Sequence, residues 1–261
     1  MICRRGIALG AAASLALPAL AWGQSRKPKL PPGRDPGGVA VAIIGAGVDY
    51  TRPEITNRLA RDGEGELIGW DFVDNDNRPF ERADAAVPVP HHAGSEMALA
   101  LLGTAPHSRL IPIRVPDQKI ATLVRALALA AKTPARIAIV LTGGEPAAPW
   151  QPFSDAVGAA PSLLVIASAA TLLRHRPPRD KGLPAPENLL VVGVEHASEI
   201  AVLLPIEPGL ASAEASTEAK IAADNHLAVR VAAKAVERAS QAKGIWPGAI
   251  LKQRLFGNNR N

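Results

Sequence analysis

Short, unbroken apolar runs recur along the chain between residues 39 and 194. Five of them are rich in Val, Ile and Leu and lack polar alternation, at residues 39–44, 110–115, 137–141, 163–167 and 189–194. Strands buried on both faces of a parallel sheet have this composition, whereas half-exposed strands alternate apolar and polar residues. The runs therefore predict the strands of a mainly parallel sheet.

Segments with helical spacing separate and follow these runs, at residues 94–102, 120–132, 154–159, 220–241 and 246–255. Alternating strands and helices predict an α/β fold, in which a doubly wound sheet carries helices on both faces through right-handed crossovers. Polar, proline-rich loops at 74–90 and 172–186 are long enough to suggest a functional role. Neither a repeat nor a second domain is visible, so residues 39–261 are predicted to form a single domain.

The first 23 residues have the pattern of a signal peptide. Two arginines precede an apolar run at residues 7–17, which is shorter than the roughly 20 residues of a membrane-spanning helix. Ala19 and Ala21 then give a small-residue spacing that signal peptidase cuts, so the mature chain is expected to start at Trp22 or Gln24. The alternative is a buried apolar N-terminal helix. The paired arginines leave the export route open between the general secretory and twin-arginine systems.

Export predicts a periplasmic or secreted protein with no stable membrane anchor. It also removes Cys3, the only cysteine, so the mature form would rely on its core rather than on disulfides. The basic, Pro- and Gly-rich stretch at residues 24–38 is expected to be a flexible lead-in. Aromatic residues make up only 3% of the chain, too few for base-stacking platforms, so no nucleic-acid partner is predicted.

Two segments near the first predicted strand carry the most specific pattern. Residues 41–55 read V-A-I-I-G-A-G-V-D-Y-T-R-P-E-I, and residues 68–79 read I-G-W-D-F-V-D-N-D-N-R-P. The first is similar to the opening motif D-T-G-V-D-x-x-H-P-x-L/I of the subtilases, the subtilisin-like serine peptidases, and the second resembles the segment that follows it in that family. In this alignment the catalytic aspartate falls on Gly45. The resemblance implies a subtilisin-like fold.

A second segment resembles G-H-G-T-H-V-A-G, the motif of the family's general base. Residues 92–99 read H-A-G-S-E-M-A-L, and Gly94 and Ser95 match small residues that let this helix approach the sheet. The catalytic histidine of the family falls on Ala93, and the second histidine of the motif falls on Glu96.

Two further segments extend the resemblance. Residues 163–171 read L-L-V-I-A-S-A-A-T and place Thr171 near the family's oxyanion asparagine. Residues 218–224 read E-A-K-I-A-A-D, where the family has the nucleophile motif G-T-S-x-A-A-P, so the serine falls on Lys220. Only two alanines hold this last register, which leaves it open.

The positions that match the triad hold no residue able to do its chemistry. A serine attacks, a histidine carries the proton and a carboxylate orients the histidine. Gly45 and Ala93 offer no such group, and Lys220 would be a protonated ammonium. The resemblance therefore implies a pseudopeptidase without cofactors. Such a protein would bind a peptide or protein and act as a decoy, regulator or scaffold. Binding remains possible because main-chain hydrogen bonds to a peptide need no catalytic residue.

The alternative is a divergent, active serine endopeptidase. A one-residue slip would return His92 to the base position, at the cost of the match of Gly94 and Ser95. Asp49 could serve as the carboxylate only from the far side of a turn, and Ser212 or Ser216 could supply a displaced hydroxyl. These serines also fit ordinary loop and cap positions.

Asp71, Asp74 and Asp76 raise the question of a calcium site. An EF-hand-like loop would need a glycine and a distant glutamate, but this run continues with Asn77 and Arg78. A solvated loop of Asx turns is therefore predicted instead. No histidine pair has a helical ligand spacing with a supporting carboxylate, so no metal site is predicted.

Overall fold

The computed structural model describes residues 27–82, 93–115, 119–141, 150–168, 186–193 and 217–256, with the backbone alone at Ala93, Trp150 and 217–221. Its strands are β1 (Val39–Gly45), β2 (Trp70–Asp71), β3 (Ser108–Arg114), β4 (Ile137–Val140), β5 (Leu164–Ser168) and β6 (Leu189–Val192). Its helices are α1 (Pro53–Thr56), α2 (Ala93–Thr104), α3 (Ile120–Ala130), α4 (Trp150–Gly158), α5 (Thr217–Ser240) and α6 (Gly248–Phe256). The predicted signal peptide lies outside the described residues.

All strands of the six-stranded sheet are parallel, in the order β2-β3-β1-β4-β5-β6. The predicted α/β fold with a mainly parallel, doubly wound sheet is confirmed, and each of the five predicted strands is present. The sequence did not indicate β2, because a strand of two residues is too short to show a periodic pattern.

The chain changes direction across the sheet at β1. Val41 of β1 pairs with Leu110 of β3 on one side and with Ile137 of β4 on the other. From β1 the chain runs to β2 and β3, and it then crosses to β4 and continues outward to β6. Open α/β sheets bind ligands in the crevice at the carboxyl ends of the strands where the winding reverses. Here that crevice lies at the ends of β1 and β4.

Alternate residues of β1 face two different helical layers. Val41 and Ile43 belong to the apolar cluster that α2, α5 and α6 complete. Ala40, Ala42 and Ile44 belong to the cluster completed by α3 and α4. Full burial of a Val or Ile side chain contributes about 1.5–3 kcal/mol, so this alternation holds helices on both faces of the sheet.

The five longer helices overlap the predicted helical segments, whereas the short α1 was not predicted. Helix α5 has 24 residues, and Ala228, Ala232 and Val236 form a buried stripe along it at helical spacing. Helix α4 begins earlier than predicted because Pro152 lies in its first turn, where the missing N–H of proline is tolerated. In the described part of the chain, none of the helices combines the length and apolarity needed to cross a membrane.

Residues 27–38, called the strap below, are hydrogen-bonded to the rest of the domain at several points. The Tyr50 hydroxyl donates to Pro28 O at 2.9 Å, and Arg61 Nη2 donates to Pro31 O at 2.8 Å. Asp35 accepts from Arg109 Nη1 at 2.6 Å. The sequence led to the expectation of a flexible lead-in and did not indicate these hydrogen bonds. Their partners lie 22 to 74 positions away, so a local composition bias could not reveal them.

Candidate functional site

The carboxyl end of β1 is held from both sides. Val115 N donates to Gly45 O, and Leu141 N donates to Ile44 O, both at 2.9 Å. A Cβ atom built on Gly45 would contact the Leu141 Cβ at 3.4 Å, an ordinary van der Waals distance. The backbone thus has room for a side chain at residue 45, so steric exclusion does not account for the glycine at the position that matches the catalytic aspartate.

Helix α2 begins in direct contact with the turn that follows β1. A Cβ atom on Gly94 would lie 1.9 Å from Gly47 O, so only glycine fits there. Gly47 itself has a φ of +89°, which other residues rarely adopt. Asp49 N donates to Ser95 Oγ at 2.7 Å. The backbones that carry Gly45 and Ala93 are therefore brought together, within two residues of the Gly47–Gly94 contact.

Glu81 holds the start of α2 in place. Its Oε1 accepts from Gly94 N at 2.8 Å and its Oε2 from Ser95 N at 3.0 Å, while the Ser95 hydroxyl also donates to Oε2. Only 5% of Glu81 is exposed. A buried carboxylate satisfies the free N–H groups at the helix N-terminus and complements the helix dipole. The sequence analysis missed Glu81, because it caps the helix from 13 residues away instead of from the N-cap position.

Ser95 is a structural residue in this arrangement. Its side chain is fully buried. The hydroxyl oxygen accepts a hydrogen bond from Asp49 N, and the hydroxyl donates a hydrogen bond to Glu81 Oε2. The carboxylate of Asp49 accepts hydrogen bonds from the backbone N and the hydroxyl of Thr51. Asp49, the fallback carboxylate of the active-enzyme alternative, is thus engaged in the turn that leads to α1.

The first half of α5 lies beside the first turn of α2. His226 Nε2 is 3.4 Å from Glu96 Oε1, and the two helices pack together. Lys220 lies six residues before His226, which is about 9 Å along a helix. The helix that carries Lys220 therefore runs past the start of α2. Only the backbone of Lys220 is described.

Other predicted site residues lie outside the described part of the chain, namely Thr171, His92, Ser212 and Ser216. Their roles stay predictions, as does the interpretation of residues 45, 93 and 220 as an empty triad.

The three aspartates of the loop after β2 surround an ammonium group. Lys27 Nζ lies 2.6 Å from Asp71, 2.9 Å from Asp74 and 2.8 Å from Asp76. The predicted Asx turns are present, since Asp71 Oδ1 accepts from Val73 N at 2.7 Å. The predicted solvation is wrong for Asp71, which is 0% exposed. Among the described residues, no group of three or more His, Cys, Asp or Glu side chains is arranged to hold a metal ion.

The electrostatics of this cluster favour its charged form. Burial lowers the pKa of Lys27, but hydrogen bonds to the three carboxylates outweigh that effect and raise it. The Lys27 hydrogen bond lowers the pKa of Asp74. For Asp76, burial opposes ionisation, but the hydrogen bonds from Lys27 and Arg78 N prevail and lower its pKa. Lys27, Asp74 and Asp76 therefore stay ionised at neutral pH.

No family model matches the chain. The thermophilic serine proteinase of Bacillus sp. (strain AK1) is 32% identical over 83 residues, which cover 31% of this chain and 19% of that protein. The minor extracellular protease Vpr of Bacillus subtilis (strain 168) is 36% identical over 85 residues, which cover 30% of this chain and 10% of that protein. The matches thus span less than a fifth of these relatives, and they confirm the family resemblance predicted from the motifs.

Two solved structures show partial similarity to this chain. A lanthipeptide protease is 13% identical, with a TM-score of 0.49, and the similarity covers 83% of this chain and 79% of that one. A psychrophilic protease, S41, is 15% identical, with a TM-score of 0.46 and coverages of 87% and 84%. Similarities of this size carry no information about activity, and the fold is defined here by the strand order itself.

Proposed function

This chain is related to the subtilisin-like serine proteases, and on that premise we propose that it is an exported pseudopeptidase. It binds a peptide or an extended protein segment at the carboxyl end of β1 and does not cleave it. A role as decoy, regulator or scaffold follows from binding without turnover.

One observation carries the proposal. The backbone at the end of β1 keeps a demanding construction, in which Gly94 packs against Gly47 and Glu81 caps α2. The two residues that match the family's carboxylate and base, Gly45 and Ala93, stand in this construction without a functional side chain. Close supporting geometry around inert residues supports binding rather than chemistry.

The binding mode follows from the sheet. Extended peptides dock on protein strands and clefts through main-chain hydrogen bonds, with pockets that select alternate side chains. The crevice where the sheet winding reverses is the expected location for such a segment. The class of partner proposed is therefore an extended polypeptide.

Export is part of the same proposal. The N-terminal pattern is that of a signal peptide, and one relative is named an extracellular protease. Sequencing the N-terminus of protein recovered from the periplasm or medium should show a start at Trp22 or Gln24. An uncleaved Met1 on a protein retained in the cytoplasm would contradict it.

Two measurements on the purified full-length mature chain test the proposal together. A fluorophosphonate probe should label no serine, because an activated serine is required for that reaction. Fluorescent casein, an unstructured polypeptide, should bind with saturation and stay intact by mass spectrometry. Specific labelling that disappears in H92A, S212A or S216A would overturn the proposal in favour of the active-enzyme alternative. Absence of any saturable casein binding would count against the peptide-binding role.

A gain-of-function variant provides the positive control for labelling. The triple change G45D/A93H/K220S restores the family residues at the matched positions, and residue 45 has space for the added side chain. Labelling of the new serine would establish the register of the last motif. G103D is the matched control, because Gly103 has open space around it and lies away from these positions.

A further inference from the structure

The strap, residues 27–38, is attached to the domain at its first residue by the Lys27 side chain. The side chain of Lys27 is only 3% exposed, and its nitrogen contacts Asp71, Asp74 and Asp76. An ammonium has three N–H donors, so each carboxylate can receive one. Among the described residues, Lys27 is the one cation within 4 Å of all three carboxylates, since Arg114 reaches only Asp71 and Asp74. Lys27 therefore closes the loop of residues 71–81 as an internal counter-ion.

A second anchor lies one residue further along the strap. The Tyr50 hydroxyl donates to Pro28 O, and burial raises the pKa of Tyr50 to about 12, which keeps the phenol protonated as a donor. The ring of Tyr50 packs edge-on against Phe80, with 5.0 Å between centroids. The strap thus contacts the 71–81 loop at its first aspartates through Lys27 and near its end through Tyr50 and Phe80.

The end of the same loop supports the candidate site. Val48 N donates to Pro79 O at 3.0 Å, and Glu81 N donates to Val48 O at 3.1 Å, which fixes the loop to the turn after β1. The Glu81 carboxylate then caps Gly94 and Ser95 at the start of α2. A continuous series of contacts therefore leads from Lys27 through the loop to the backbone of the site.

We propose that the strap is a conformational lock on the candidate site. With Lys27 inserted, the 71–81 loop is closed and Glu81 holds the first turn of α2 against the turn after β1. Displacement of the strap leaves the three carboxylates without their shared cation, opens the loop and loosens the start of α2. The consequence for peptide binding rests on the proposed function, whereas the lock itself can be tested without any peptide.

Amide hydrogen exchange on the full-length mature chain tests the lock. K27Q removes the charge at similar length, and K29Q is the matched control, since Lys29 is exposed on the same segment. In K27Q, the amides of Gly94 and Ser95 should exchange about tenfold faster or more, as expected for local opening. Amides of β5 should keep their wild-type rates, and K29Q should behave as wild type throughout.

Two results would overturn the lock. Unchanged exchange at Gly94 and Ser95 in K27Q would show that strap and site are independent. Equal acceleration at Gly94, Ser95 and the β5 amides would show a purely global loss of stability. If K27Q does not fold, the same exchange experiment is done on Y50F, which removes the hydrogen bond to Pro28 O and keeps the ring against Phe80. Faster exchange at Gly94 and Ser95 with unchanged β5 amides supports the lock, and unchanged exchange at Gly94 and Ser95 overturns it. Casein affinity is measured separately and should fall in K27Q. If casein does not bind the wild-type protein, the proposed function fails, but the hydrogen-exchange test of the lock remains valid.

Discussion

The turn after β1 and the 71–81 loop are joined by hydrogen bonds, yet they differ in the side chains they carry. At the end of β1 the chain retains close backbone contacts, and the side chains at Gly45 and Ala93 are inert. In the loop, charged side chains are abundant, and the buried carboxylate of Asp71 is neutralised by the chain's own Lys27 and Arg114. Backbone contacts stabilise a fold whether or not a reaction takes place, so close backbone geometry alone does not indicate that a site is catalytic.

The largest effect should come from the backbone contact. G94A places a methyl group 1.9 Å from Gly47 O, which forces α2 away from β1. We expect a loss of about 3 kcal/mol or more in the free energy of unfolding, measured by urea denaturation. G103A is the control and should cost little, because Gly103 has open space around it. A G94A protein of wild-type stability would mean that this contact does not hold the site.

Next in size is the buried carboxylate of the loop. D71N removes the charge that Lys27 Nζ contacts at 2.6 Å and Arg114 at 3.1 Å, and leaves those cations partly unpaired in a buried place. Breaking a buried ion pair costs about 3 kcal/mol, again in the free energy of unfolding. The matched change D155N, at an exposed aspartate, should have a negligible effect. Equal stabilities of D71N and D155N would contradict the role of the cluster.

The helix cap joins the two regions and should contribute less than either. E81Q removes the charge at the N-terminus of α2 and leaves one acceptor for Gly94 and Ser95. A loss of about 1 kcal/mol is expected from the cap and dipole terms. E64Q, at an exposed glutamate, is the control. The melting temperatures of E81Q and E64Q are compared. Equal melting temperatures would show that Glu81 does not stabilise the start of α2.

The pH dependence of the cluster should be smaller, because Asp74 and Asp76 are partly exposed. Their pKa values are lowered from 3.8, so their contribution is complete above that pH and is lost as pH falls through the lowered values. The pKa of Lys27 is raised from 10.5, so its contribution is complete below that pH and is lost as pH rises through the raised value. The stability difference between wild type and K27Q should therefore be flat between these limits and fall on both sides. A slope near neutral pH would contradict this assignment of charges.

The smallest effect should come from a glycine only a few residues from Gly47. In G45A the new methyl group meets Leu141 Cβ at 3.4 Å, and the backbone is an ordinary strand. We expect a change within about 0.5 kcal/mol, since alanine also restricts the unfolded chain. In one denaturation series, alanine at Gly94 should thus lower the free energy of unfolding strongly, whereas alanine at Gly45 should leave it almost unchanged. A large loss in G45A would show that residue 45 has no room for a side chain.

The sequence predicted the elements that depend on local pattern. Five strands followed from apolar runs, and α5 followed from alanine and valine at helical spacing. The meeting of the β1 turn with the start of α2 followed from the two motifs, because Gly47 and Gly94 keep the family's glycines at that contact. Contacts between distant segments were not predictable in this way. Glu81 and Lys27 act on partners 13 and 44 positions away, and neither belongs to a periodic element.

The strap also changes where this domain can be cut for laboratory work. The first strand begins at Val39, which invites truncation just before it. A shortened protein that begins there would expose the surface that residues 27–38 cover. The Tyr50 hydroxyl would lose its acceptor Pro28 O, and Arg109 would lose its ion pair with Asp35. An expressed protein that keeps these contacts therefore starts at or before Lys27, and a purification tag should be separated from that lysine by a spacer.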